Sequence, residues 1–170
     1  MNADRHSHAT ESLRIEGPFR QHMLEFQTFK FPPADAAMID LPQSPGAVRR
    51  DESGQATVLH FAPGRFLLPS PASDIIRHFS HLQEAGIGAL VDVEGKWRTF
   101  TLTGPGAERA LSSTVDLMRV LGGRDCAALY LFDCPAVLAR RSHAFDLWVE
   151  ASYAAALREC LDGLRPELVE

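Results

Sequence analysis

The sequence predicts an α+β fold, an antiparallel sheet of hairpins with helices packed on it in β-β-α repeats. From about residue 57, short alternating apolar stretches come in pairs around turn signals such as Pro63-Gly64 and Gly95-Lys96. Stretches with a helical apolar period stand between those pairs, which favours α+β over a doubly wound parallel sheet. The chain has 170 residues, 45% of them hydrophobic, enough for one domain with a continuous core.

Residues 1–52 read as a Pro-rich N-terminal arm and residues 53–170 as the α+β domain. In residues 20–30 (RQHMLEFQTFK) the apolar set Met23, Leu24, Phe26 and Phe29 fits neither the helical nor the strand period, and the segment reads as extended. Pro32, Pro33, Pro42 and Pro45 leave no room for a long regular element. Residues 49–55 read as a solvated turn. TVLHF (57–61) and RFLL (65–68) form a hairpin across Pro63-Gly64. In residues 70–85, Ile75, Ile76, Phe79 and Leu82 share one helical face, with Pro71 and Ser73 suited to the start and Gly86 to the stop.

ALVDVE (89–94) and WRTFTLT (97–103) read as a second hairpin. A short helix follows, with Thr103 or Gly104 as N-cap, Pro105 in the first turn, and Ala107, Ala110 and Leu111 on its buried face. Residues 115–121 make another helical turn closing on Gly122-Gly123. Residues 126–132, 136–140 and 144–150 are strands, separated by Asp133-Cys134-Pro135 and by Arg141-Ser142-His143. Residues 152–164 end the pattern as a helix, with Ser152 as cap and Tyr153, Leu157, Cys160, Leu161 and Leu164 on one stripe.

Seventeen Lys and Arg against 22 Asp and Glu, a formal net charge of -5, argue against nucleic-acid and anionic-membrane binding. No stretch approaches the ~20 apolar residues of a membrane-spanning helix, and residues 1–12 lack the apolar region of a signal peptide. The expected location is the cytoplasm. Cys126, Cys134 and Cys160 are too widely spaced for a redox or zinc pair and read as reduced core thiols.

No motif assigns a catalytic, cofactor-binding or metal-binding residue. Gly104-Pro105-Gly106 precedes a helix start but lacks the third glycine of a dinucleotide loop and the lysine of a P-loop. His78 and His81 stand three apart beside Asp74, Arg77 and Glu84, on what reads as a solvated helix face, and His6 and His8 have no third ligand near them. Neither a GxSxG elbow nor a cysteine outside an apolar pattern or a Pro turn marks a nucleophile. Arg140, Arg141 and His143 cluster at a strand end, as a solvated group, a contact for an acidic partner, or a carboxylate site. Trp97 and Trp148 fall in the polar phases of their strands. Either they meet another chain or a second layer covers them.

Read as one stretch, ALVDVEGKWRTFTLTGPGAERALSSTVDL (89–117) resembles a segment of the aminomethyltransferases of the glycine-cleavage T-protein type, with Asp92, Gly104, Ala107 and Leu111 at matching places. YLFDCPAVLARRSHAFDLWVEASYAAAL (130–157) is similar to that family's next hairpin and closing β-α unit. With the upstream hairpin TVLHFAPGRFLLP, the chain looks most like the gamma-subunit family of heterotetrameric sarcosine oxidases, over residues 57–164. The resemblance implies a fold like the T-protein N-terminal domain, without the C-terminal barrel. It also implies a structural or assembly role inside an amine-oxidising complex. FAD, FMN, NAD, zinc and tetrahydrofolate would belong to partner subunits and none to this chain. The family's catalytic aspartate follows the turn that corresponds to Asp133-Cys134-Pro135; here Ala136, Val137 and Leu138 follow it, so the role does not carry over. A stand-alone tetrahydrofolate or one-carbon ligand binder using Arg140 or Arg141, and a self-associating domain, are the alternatives.

Overall fold

The computed structural model describes residues 13–29, 41–142 and 144–164. Its strands are β1 (Arg14–Phe19), β2 (Met23–Thr28), β3 (Val48–Arg50), β4 (Ala56–Ala62), β5 (Arg65–Pro69), β6 (Gly88–Asp92), β7 (Trp97–Thr103), β8 (Cys126–Leu131), β9 (Cys134–Arg141) and β10 (Ala144–Glu150). The helices are α1 (Ser73–Glu84), α2 (Gly106–Ser112), α3 (Leu117–Leu121) and α4 (Ala154–Gly163). The predicted α+β class holds, with two antiparallel five-stranded sheets where the sequence suggested one. Their orders are β1-β7-β10-β9-β8 and β3-β4-β5-β2-β6.

Strand alternation builds the layers, because successive side chains point to opposite faces. On β10, Phe145, Leu147 and Val149 meet Ala107 and Leu111 of α2 and Leu157 and Leu161 of α4. On β2, Leu24 and Phe26 meet Ile75, Phe79 and Leu82 of α1, where the Phe26 and Phe79 rings pack tilted with centroids 4.9 Å apart. The opposite phases face each other across the middle: Met23, Leu59 and Leu67 from one sheet, Trp97, Val137 and Trp148 from the other. The molecule is thus two helix-backed sheets pressed together.

Several expectations change. Residues 89–94 and 97–103 are not a hairpin: β6 pairs with β2 in one sheet, and β7 with β1 and β10 in the other. The turn at Gly95-Lys96 carries the chain between layers. Residues 14–28 are not an arm, since β2 lies inside the second sheet between β5 and β6, with Phe26 fully buried. The cut at residue 52 therefore separates no packed unit from an appendage; Pro32 and Pro33 lie outside the described residues. Trp97 and Trp148 are 6% and 2% exposed, covered by the second sheet.

Smaller shifts are local. Ala72, not Ser73, is the N-cap of α1, and Pro105 caps α2 without a side-chain bond. Ser152 sits in a 3-10 turn ahead of α4. Arg49 and Arg50 belong to β3. The β8–β9 hairpin closes on Phe132 and Asp133, so Cys134-Pro135 is already strand.

Candidate functional site

Two of the openings border the charged residues of β9 and β10. The first, about 250 Å³, lies between the sheets, with Gln21, Thr99, Thr101, Asp146 and Trp148 among its lining. Asp146 is only 4% exposed, because its strand phase, shared with Trp148, faces the other sheet. Thr101 lies directly across the ladder and donates its hydroxyl to Asp146 Oδ1 at 3.0 Å. Arg141, on the adjoining strand, donates to the same oxygen at 2.8 Å. Burial raises the Asp146 carboxyl above its ordinary value, against the opposing pull of Arg141, Thr101 and Arg50. Arg50 in turn donates to the Arg140 carbonyl, tying β3 to β9. Thr99 donates to Gln21 Oε1 at 2.9 Å. Thr101, Arg141 and Asp146 thus serve one another within one sheet, while Trp148 Nε1 and Arg141 Nε have no hydrogen-bond partner among the described residues; the Arg50–Arg140 bond ties the two sheets together here.

The second opening, about 600 Å³, lies where the start of α2 meets the β9–β10 turn, between Gly104, Pro105, Glu108, Arg140 and Phe145. Arg140 stands 5.8 Å from the Phe145 ring centroid and 3.7 Å from Glu108. Because Arg140 and Arg141 are neighbours on a strand, they point to opposite faces. Both arginines border this opening, but Arg140 pairs with Glu108 on the helix side and Arg141 with Asp146 on the inter-sheet side; the side chain of His143 lies outside the described residues.

His78 departs from its expected solvated face. It is 8% exposed, edge-on to Phe79, and its Nε2 has no hydrogen-bond partner among the described residues. Burial, with the nearby charges of His81 and Arg49, lowers its pKa. His81 points outward to Glu84 at 3.3 Å. His6 and His8 lie outside the described residues. Among the described residues no three His, Cys, Asp or Glu side chains gather for a metal. The thiols of Cys126 and Cys134 are buried; burial pushes Cys126 up to about 12 and raises Cys134 as well.

Sequence reasoning passed over Asp146, Arg50 and Glu25. The available signal was register: with Arg141 opposite Ala144 and Asp146 opposite Ala139, the two are diagonal neighbours on one face of the β9–β10 hairpin. Glu25 sits mid-strand among apolar residues and is gripped by Arg65 and, at 3.2 Å, by Lys96. Burial pushes its carboxyl upward, but these cations outweigh that and leave it below its ordinary value.

No protein-family model and no curated protein sequence matches the chain. Its fold does have solved counterparts. One is the glycine cleavage system aminomethyltransferase T of Bartonella henselae, at a TM-score of 0.53 and 16% identity, covering 93% of this chain and 47% of that one. The chain thus spans about half of that protein. Another is a chain of the heterotetrameric sarcosine oxidase of Corynebacterium sp. U-96, solved with pyrrole 2-carboxylate, at a TM-score of 0.75 and 22% identity. That match covers 95% of this chain and 90% of the other, so the resemblance drawn from residues 57–164 is met, at the level of fold, almost end to end.

Proposed function

We propose that this chain is a non-catalytic, gamma-type subunit of a heteromeric sarcosine oxidase or a related N-methylamine demethylating complex. Its role is structural: it completes an assembly whose other subunits use flavin and folate. The observation that carries the reading is the near-complete mutual coverage with the sarcosine oxidase chain, a likeness between whole chains. The site geometry agrees with it. Ala136, Val137 and Leu138, which follow the turn where the aminomethyltransferases place a catalytic aspartate, are buried ladder residues of β9. Asp146, the buried carboxylate of the inter-sheet cavity, is held by Thr101 and Arg141, and Thr99 bonds to Gln21. FAD, FMN, NAD and tetrahydrofolate are assigned to partner subunits.

An affinity tag on the chain in its native host tests the proposal. A co-purifying flavoprotein, seen by its visible absorption and by mass spectrometry, together with oxidation of sarcosine or another N-methylamine, is the expected result. Recovery of the chain alone overturns it.

A further inference from the structure

We propose that β8 is an open docking edge, which takes an extended acidic segment of a partner protein as a sixth strand of its sheet. The inference goes beyond the subunit reading and stands without it. Each sheet has two edge strands, here β1 and β8 in one and β3 and β6 in the other. Unpaired edges invite foreign strands, and proteins blunt them with charge, proline, bulges, shortness or a cover. β1 carries Arg14, Glu16 and Pro18 and a register shift between Glu16 and Phe19. β3 has three residues, two of them arginine. On β6, the Leu90 N–H is taken by Gln83 Oε1 at 2.7 Å. β8 reads CAALYL, with no charge, no proline and an unbroken register against β9.

Its backbone direction follows from two bonds. The Asp125 carbonyl accepts from Arg140 N at 2.8 Å, toward β9, while Cys126 N donates to the Gly46 carbonyl at 2.9 Å, on the other side. Alternation along an antiparallel strand then turns Ala127, Leu129 and Leu131 toward β9, and the N–H and C=O of Ala128 and Tyr130 outward. Pro135, opposite Tyr130, fits this pattern because no ladder N–H is required there. Among the described residues, the Gly46 carbonyl takes the Cys126 N–H, and β4 and α3 lie beside the strand. Ala128 is exposed and Tyr130 is 72% exposed.

A groove of about 400 Å³ adjoins this edge, with Phe61, Val120 and Ala128 as apolar lining and Arg119 and Arg124 as cations. Its one carboxylate, Asp116, accepts the Arg119 backbone N–H at 3.0 Å and caps α3. A groove with two cations on a chain of net charge -5 fits an acidic strand.

The full chain, labelled for NMR, is titrated with an end-blocked synthetic peptide of about seven residues alternating valine and glutamate. Saturable binding is expected, with shifted resonances and slowed hydrogen exchange at the Ala128 and Tyr130 amides. A valine–lysine counterpart binds about tenfold more weakly. Ala128→Pro abolishes binding and keeps the fold, because the lost N–H lies outside the β9 ladder. Backbone methylation of the peptide, which leaves the protein untouched, abolishes it too. No saturation at millimolar peptide, equal binding of the lysine or methylated peptide, or protection of the same two amides in a peptide-free dimer overturns the proposal.

Discussion

Asp146 is the residue whose surroundings depart furthest from its sequence appearance. In AFDLWVE it reads as the solvated phase of a half-buried strand, yet the phase it shares with Trp148 is sealed by another sheet. No local signal announces that sheet. The carboxyl has a definite consequence for pH. In the unfolded chain Asp146 titrates at its ordinary 3.8, and in the folded chain it titrates higher because it is buried. Below 3.8 both states are protonated; as pH rises through the gap the unfolded chain ionises first, and folding loses stability until the folded value is passed. Glu25 acts in the opposite sense, its folded pKa being depressed, so its contribution is lost as pH falls. Comparing wild type with Asp146→Asn by urea unfolding isolates the first effect. The stability of wild type relative to the variant declines as pH rises above 3.8. A pH-independent difference would remove this account.

At the scale of elements, most of what is local was legible. The α1 face, the β4–β5 hairpin and the strands β8 to β10 follow from apolar period and turn residues. The β8–β9 turn was misplaced because its two central residues, Phe132 and Asp133, have φ of 49° and 61° without the glycine or asparagine that normally marks such a turn. β1 escaped notice because RIEGPF is mostly charged or breaker residues. What seats it against β7 is Gly17, with φ of 109°; a Cβ there would lie 2.5 Å from the Thr99 carbonyl oxygen. Gly17→Ala therefore combines backbone strain with a clash against main chain, and is expected to cost at least about 2 kcal/mol. Gly95→Ala is the control, since a Cβ at that turn position meets nothing within 4 Å. Denaturant midpoints of the two variants check this, and equal midpoints would mean that β1 is not held as described.

Across the whole molecule, the pairing of elements was what local reading could not supply. Alternation fixes which residues share a face, but it does not fix which strand lies alongside or what covers the face. Residues 89–94 and 97–103 look like a hairpin because a tight turn joins them, yet β2 claims one and β1 and β10 the other. The same long-range pairing makes residues 13–29 part of the core. Removing residues 1–52 would take β2 from between β5 and β6, splitting the second sheet, and would withdraw Met23 and Phe26 from the layers on either side of it. Phe79, packed against Phe26 and Phe66 with tilted rings and centroids 4.9 and 5.8 Å away, would lose one wall of its pocket. At about 1.5–3 kcal/mol per side chain, the lost burial of Met23, Leu24 and Phe26 alone is comparable to the typical net stability of a domain, about 5–15 kcal/mol, before the β2 ladders are counted. The fragment 53–170 is accordingly expected to lack the cooperative thermal transition of the full chain and to bind a hydrophobic dye, read by circular dichroism and fluorescence. A fragment that melts sharply within a few degrees of the full chain would instead make the N-terminal segment an accessory laid over an independent domain.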